Sequence, residues 1–412
     1  MKKGLLFALI LLVGTMLGAC SSQNTNAGEG GEEKTITFIH WRGEDAEVFK
    51  QLISKFEEEN PGLKVKMNIY PSEQYPVQTL LRESSTDVFA STPGSQFEML
   101  KKAGFYEDLT GESFVDLFNE KLIEVGNVEN QQLALPYQLV YNQPVYNADI
   151  FEELGLEPAK DWEGFLALCE TLKENGYIPI AFPGADIGPG QFMNSMVMNN
   201  AQDEEIFTKL MNGEAQLTEE WWIKTLSQFQ ELYKNGYISK DALGTKHDGA
   251  IAQVAQERAA MLATGSYAMA NIKNLNPDIN LKMLAPITVS ESEAAYEGVH
   301  TTTFMLGLNT NSERKEEGKK FIEFLAQKEN AEIYANETGQ FLTISDIEYE
   351  SDELKNSIDW MEKKTRFQPR YMIPNLDVEK AVLGSIQSVI GGESPEKAAE
   401  EAQKIVNQNI SQ

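Results

Sequence analysis

The sequence predicts an α/β protein, with strands and helices alternating around a mostly parallel sheet. Three observations near the start of the folded body carry that reading. The run 35–39 (TITFI) is β-branched and aromatic. The stretch 44–59 that follows is amphipathic at helical spacing and is stopped by Asn60-Pro61-Gly62. From 63 to 69, apolar and polar residues alternate strictly.

Each element rests on its own chemistry. TITFI contains the residue types that fit a pleated, half-buried surface. In 44–59, Phe49, Leu52, Ile53 and Phe56 share one helical face, and the Pro-Gly pair beyond it cannot continue a helix. Leu63, Val65, Met67 and Ile69 alternate with Lys64, Lys66 and Asn68, the period of a strand with one buried face. DVFA at 87–90 reads as a short buried strand, with Asp87 opening it in a structural role. Helices are predicted over 96–103, 161–174, 219–235, 250–258, 313–335, 352–363 and 378–390. Trp162 opens one of these as a core residue. Trp221 and Trp222 are adjacent on another, so one is expected in the core and the other at a rim or surface. No repeat is visible, and no Gly/Pro-rich linker divides the body. If there are two lobes, the chain crosses between them more than once.

Composition excludes several function classes. With 412 residues the chain holds two to three domain-sized units at roughly 150 residues each. Lys and Arg total 35 against 63 Asp and Glu, a formal charge of −28. So acidic a chain lacks the basic footprint of a nucleic-acid binder. Two cysteines make neither a disulfide framework nor a four-thiolate zinc site. The histidines at 40, 247 and 300 spell no metal motif, and no cofactor is called for.

The first segment is an address. Lys2 and Lys3 precede an apolar run over 4–19, shorter than the roughly 20 residues of a membrane span. This is the pattern of a secretory signal peptide over 1–19. The run ends Leu17-Gly18-Ala19-Cys20, which resembles the bacterial lipobox. That resemblance implies that Cys20 becomes the lipid-modified first residue of an extracytoplasmic protein, held to the bacterial cell membrane by acyl chains such as palmitate. An ordinary signal peptide with a chance cysteine is the alternative. Residues 20–33 then form the lipidated cysteine and a flexible Gly- and Ser-containing tether. Cys169, in an apolar helical stretch, reads as an inert buried thiol.

From residue 34 onward a set of motifs follows in fixed order. His40-Trp41 ends the first strand, EENPGLKV closes the first helix, and LKKAGFYEDLT follows Asp87-Val88. LPY at 135–137, VYNADIFEELGL at 145–156 and ELYKNGYIS at 231–239 come next. RAAMLATGSYAMANI at 258–272 and GLNTNSERKEEGKKFIEFLAQKENAEIY at 307–334 complete the set. Together they resemble the extracellular solute-binding proteins (family 1, sugar-binding) of bacterial ABC importers, the branch that includes maltose-binding protein. Two departures stand out. Tyr267 occupies the place where the family usually has Trp, and Phe341-Leu342-Thr343 lacks the proline often found there.

The resemblance implies a two-lobe periplasmic-binding-protein-like fold with a hinge and an interlobe cleft. The lobes are expected over 34–145 with 302–345, and over 146–301 with 346–412, with crossovers near Pro144 and Thr301. It also implies a monomeric receptor that closes on a carbohydrate, with a short oligosaccharide expected, and presents it to permease subunits. No bond is broken, so no catalytic residue is implied.

A sugar presents hydroxyls at its rim and C–H groups on its faces, so its site needs aromatic platforms and planar polar side chains. Trp41, with His40, Arg42 and Glu44, sits where a strand delivers the chain into a cleft. Ser91 and Thr92 leave the DVFA strand in the same way, with a helix cap as their alternative role. Gln138 and Tyr141 are read as cleft-lining groups near the first crossover, and His300, ahead of Thr301, Thr302 and Thr303, near the second. Arg370 and Tyr371 are read as lining the cleft late in the chain, with a plain ion pair to a carboxylate as the alternative for Arg370. Tyr267 is the preferred platform, because it stands at the family's Trp position. The small residues Ala263, Thr264, Gly265 and Ser266 before it are read as allowing close backbone approach to a ligand.

Two other functions stay open at this level. One is the same architecture binding a non-sugar solute, although no Gly-rich helix start or paired basic residues mark a phosphate site. The other is a secreted glycoside hydrolase. With 63 acidic residues a catalytic carboxylate pair is compatible with the sequence, although no nucleophile-elbow, zinc-protease or phosphate-loop motif is present.

Overall fold

The computed structural model describes residues 33–71, 75–82 and 86–410. The signal peptide, Cys20 and most of the tether lie outside the described residues. The strands are β1 (Lys34–His40), β2 (Leu63–Ile69), β3 (Val88–Ser91), β4 (Asn127–Val128), β5 (Gln131–Gln132), β6 (Leu135–Tyr141), β7 (Val145–Asn147), β8 (Ile178–Ala181), β9 (Ala259–Leu262), β10 (Leu281–Met283), β11 (Gly298–Leu308), β12 (Phe341–Leu342) and β13 (Thr365–Phe367). They build two main sheets. The larger runs β12-β6-β11-β3-β1-β2, with β13 beside β11, and the smaller runs β10-β7-β9-β8.

Helices cover both faces of the larger sheet because its strands bury both sets of side chains. Ile36 and Phe38 of β1 and Val88 and Ala90 of β3 pack with the helices Ala46–Glu59 and Lys315–Ala326. Ile39 and Phe89, one residue out of phase, meet Phe97 and Leu100 of the helix Ser95–Lys102 on the opposite face. Asp87 joins β1 to β3: its carboxylate accepts from the Thr37 amide at 2.8 Å and the Ser312 hydroxyl at 2.5 Å. The smaller sheet packs Ile180 and Phe182 against a helical layer that includes Gly188–Val197, Glu220–Lys234, Leu376–Ile390 and Pro395–Ile410.

Several expectations are corrected. The sheets are mixed and not mostly parallel. β1–β2, β1–β3 and β11–β13 pair parallel, whereas β11 is antiparallel to both β3 and β6. The expected helix 313–335 is two helices, Lys315–Ala326 and Lys328–Thr338, broken at Gln327. There the side chain of buried Asn330 donates to the Phe324 carbonyl at 2.8 Å, supplying a donor where the helix ladder stops. Only Asp352–Lys355 of 352–363 is α-helical, followed by a 3₁₀ turn. Trp221 and Trp222 are both buried, because their helix has neighbours on two sides. Phe207 meets Trp221 edge-on at 5.5 Å, while Trp222 Nε1 donates to Ser385 at 3.2 Å. Trp162 is half-buried and donates to Glu231 at 2.9 Å.

The chain passes between the two sheets at 142–144 and 284–297, and at 368–375 it leaves the larger sheet for the helical layer of the smaller one. β11 lies in the larger sheet from Gly298 onward, and β13 joins that sheet within the span 346–412. The passages are stitched together. The Asn142 amide donates to the Val299 carbonyl and the Val299 amide to Gln143 Oε1, both at 2.8 Å, and the Gln368 amide donates to the His300 carbonyl at 2.8 Å. Buried Arg366 donates to the Met198 carbonyl at 3.2 Å and the Asp203 carbonyl at 2.7 Å, tying β13 to the end of the Gly188–Val197 helix.

His40 is fully buried among the rings of Phe38, Phe49 and Phe304, at 4.8, 4.9 and 5.7 Å. Burial pushes its pKa from 6.5 down to about 3, outweighing the nearby Asp45 carboxylate. Between those values the unfolded chain takes up a proton that the folded chain refuses, so stability declines as pH falls from 6.5 toward 3. The expected slope from this residue is at most about 1.4 kcal/mol per pH unit. Denaturant titrations of wild type and His40→Asn at pH 6.5, 5.5 and 4.5 check this. The variant should lose that part of the slope, and parallel slopes would show that His40 accepts a proton in the folded state.

Candidate ligand-binding cleft

A cavity of about 520 Å³ lies between the two sheets, within the ~300–1,000 Å³ of small-molecule sites. Its first wall begins where β1 ends. The Trp41 ring lies 5.4 Å from Tyr75 and 5.3 Å from Phe304. Tyr75 is anchored, its hydroxyl donating to the Ala90 carbonyl at 2.7 Å. Phe304 has a φ of 51°, an uncommon left-handed conformation for a bulky residue, directly behind the indole.

Beside Trp41 a charged array is locked in place. Buried Arg42 forms a forked pair with Asp45, through Nη2 to Oδ1 at 3.0 Å and through Nε to Oδ2, and it meets Glu44 at 3.3 Å. Tyr334 donates its hydroxyl to Asp45 and accepts from the Gln138 amide at 2.6 Å. Burial works against the Arg42 charge, yet Asp45 and Glu44 together raise its pKa.

The second wall comes from the smaller sheet's body. Tyr267 stands 5.9 Å from His247, and Asp186 accepts from the backbone amides of Ile187 at 2.6 Å and His247 at 3.0 Å. The Tyr267 hydroxyl approaches Thr264 without a well-formed hydrogen bond, and His247 Nε2 has no partner among the described residues. Gly265 has a role different from the expected one. A Cβ there would lie 2.9 Å from the Tyr141 carbonyl and from the Tyr267 ring, so the missing side chain admits β6 and the tyrosine, not a ligand.

The floor is built from the connecting segments. A chain of amides runs from Gln191 through Asn142 to Asn194, whose side chain donates to Asn142 at 2.7 Å and accepts from the Arg370 amide at 3.0 Å. Arg370 crosses Gly190, where a Cβ would sit 2.8 Å from Nη1, and its Nε donates to Glu379 at 2.6 Å. Gln368 faces the same cavity, with both its side-chain amide nitrogen and oxygen buried and without a partner among the described residues.

Of the residues expected from sequence, the structure brings Trp41, Arg42, Glu44, Thr92, Gln138, Tyr267 and Arg370 to the cavity wall. Four others are corrected. Strand parity accounts for two: Gln138 and Val140 of β6 face the cavity opposite Thr303 and Thr301 of β11, so Tyr141 and His300 point to the other face. Tyr141 packs on Trp360 at 5.8 Å, and the His300 ring bonds Thr365 at 2.9 Å. Ser91 is buried against the Tyr106 hydroxyl at 2.7 Å, and His40 lies in the core. Thr92 lines the cavity while also holding Gln96, whose side-chain oxygen accepts from the Thr92 amide at 2.7 Å. Arg370 both lines the cavity and makes the expected carboxylate pair. The structure also brings Tyr371, read with Arg370 as a late cleft residue, to the cavity wall; the sequence reading missed Tyr75, Asp186, Gln191, His247 and Gln368. Gln368 lies close enough to Arg370 and Tyr371 to have been found by extending that segment.

Among the described residues no group of three or more His, Cys, Asp or Glu is placed to hold a metal ion, and no helix is long and apolar enough to cross a membrane. Two α/β bodies joined by stitched connections, with an aromatic and polar cavity between them, define a two-lobe solute receptor. The chain belongs to the bacterial extracellular solute-binding protein family, whose family model matches residues 42–332. It is 23% identical over 362 residues to the multiple sugar-binding protein of Streptococcus mutans, covering 84% of this chain and 83% of that protein. To the melibiose/raffinose/stachyose-binding protein MelE of Bacillus subtilis it is 22% identical over 345 residues, covering 81% and 79%. A chitin oligosaccharide binding protein of known structure superimposes with a TM-score of 0.80 at 18% identity, covering 91% of this chain and 99% of that one. The protein RafE in complex with raffinose does so with a TM-score of 0.79, at the same identity and coverage.

Buried polar atoms without partners cost stability. Gln368→Met removes two of them at similar volume, so the melting temperature should rise by a few degrees. Calorimetric scans of the two proteins decide it, and a lower melting temperature for the variant would mean that Gln368 holds the fold.

Proposed function

We propose that this chain is the substrate-capturing lipoprotein of a carbohydrate ABC importer. It binds a short oligosaccharide in the interlobe cleft, closes on it as a monomer, and presents it to the permease without chemical change. One observation carries the reading: aromatic faces and unpartnered polar atoms converge on one cavity. Trp41 on one wall and Tyr267 on the other can cover sugar faces, while His247, Tyr267 and Gln368 offer buried groups that ring hydroxyls would satisfy.

The two guanidiniums of the cleft do not call for an anionic ligand, and its Lys246 is accompanied by Asp186 and Asp248. Arg42 is committed to Asp45 and Glu44, and Arg370 to Glu379, so neither guanidinium is left uncompensated for a phosphate or carboxylate. The sugar-binding relatives support a sugar ligand. Lipid attachment at Cys20 rests on the sequence LGAC after the apolar run.

Calorimetric titration with raffinose and stachyose tests the capture role. Binding is expected, and Trp41→Ala should weaken it about ten- to a hundredfold, the loss of one buried aromatic face. Sugar recovered by chromatography after long incubation should be intact, and released monosaccharide would identify a hydrolase. If neither sugar binds, nor any neutral oligosaccharide in a thermal-shift panel, the carbohydrate reading fails.

Cys20→Ser should move the exported protein from the membrane fraction to the soluble one, or leave its signal uncleaved. A variant still processed and membrane-bound would refute the anchor.

A further inference from the structure

The rim of the cleft carries a contact that the capture role alone does not require. Glu379 lies in the first turn of the helix Leu376–Ile390, which packs in the smaller-sheet body, and is 6% exposed. One of its oxygens accepts from Arg370 Nε at 2.6 Å. The other accepts from the hydroxyl of Ser95 at 2.5 Å. Ser95 opens the helix Ser95–Lys102, which packs on the larger sheet, so this hydrogen bond spans the two bodies. The carboxylate sits between two helix N-termini and a guanidinium, three sources of positive potential. Next to it the bodies approach closely at Gly94. With its φ of 76° this position favours glycine, and a Cβ there would lie 3.1 Å from the Tyr371 backbone.

We infer that Glu379 is a positioning residue that couples the ligand-facing Arg370 to closure of the cleft. Its bond to Arg370 lies in one region of the molecule and survives opening. Its bond to Ser95 exists only when the bodies meet. A ligand that orders Arg370 therefore orders Glu379 in the geometry that receives Ser95, and closure in turn fixes Arg370 over Gly190. A charge-assisted hydrogen bond of this kind shifts a closed-to-open ratio by about tenfold or more. This inference rests on the capture reading for its purpose, but its geometry does not depend on which solute is bound.

The test uses the full chain expressed without export, so that Cys20 carries no lipid. Small-angle scattering of the protein without sugar should give a larger radius of gyration for Ser95→Ala and for Glu379→Gln than for wild type. Ser95→Thr, which keeps the hydroxyl, should restore the wild-type profile, and the double variant should be no more open than either single one. With raffinose, the single variants should bind about tenfold more weakly through faster dissociation. Ser95 is only half-buried, so its variants are expected to fold, and a thermal melt verifies this. Wild-type scattering profiles for both single variants would overturn the latch. Opening of the variants without raffinose binding by wild type would sustain the latch and refute the raffinose-type ligand.

Discussion

The antiparallel pairing of β6 with β11 is the constraint on which the rest of this molecule depends. Its register places Gln138 opposite Thr303 and Val140 opposite Thr301, so a period of two determines which four side chains face the cleft. The same register brings Tyr141 and His300 together at the end where both strands leave the sheet. There Val299 exchanges hydrogen bonds with Asn142 and Gln143, and the Gln368 amide donates to the His300 carbonyl. A slip of one residue would empty the cleft wall and unmake the connection at once. Recognition and the hinge region thus share one structural cause.

This dependence explains how much was legible in the sequence. The first three elements were visible because each obeys one local rule: a β-branched run, a helical face, a strict alternation. The two-lobe arrangement was legible through the order of weak motifs along the chain. β6 and β11 were not recognised as strands, although they set the site. They are buried on both faces and so show no alternation, and β11 hides in a threonine-rich stretch that reads as a loop. With the strand unrecognised, parity could not be applied, and Tyr141 and His300 were drawn to the cleft with their true neighbours. Ser91 and His40 failed for a related reason. A polar residue at a strand end can turn inward when a hydroxyl or a ring of aromatic neighbours accepts it, and sequence does not show that neighbour. Trp41, Arg42 and Tyr267 reach the cavity wall as expected because a strand end or a glycine-containing turn aims them whatever lies behind.

The cleft divides its polar groups into two kinds, and the division has physical consequences. Arg42, Asp45, Tyr334 and Gln138 are fully engaged with one another, a pre-organised array whose cost of ordering is met on folding. Removing one member would leave a buried charge without its partner, so this group contributes rigidity to the wall more than contact to a ligand. His247, Tyr267 and Gln368 are the opposite case, held in place with hydrogen-bonding capacity unspent.

A receptor that must release its cargo benefits from that mixture. If every polar group in the cleft were satisfied internally, a sugar would have to break protein hydrogen bonds to bind, and affinity would be weak. If every group were unsatisfied, the folded state would carry several desolvation penalties, each comparable to a sizeable share of a domain's net stability. Confining the unsatisfied groups to the second wall and the floor keeps that cost small. It also places them away from the first wall, Tyr267 and His247 on the other body and Gln368 on a connecting segment. Under the proposed closure, the first wall acts as a fixed template, while the groups that gain most from a ligand are those whose positions closure would change.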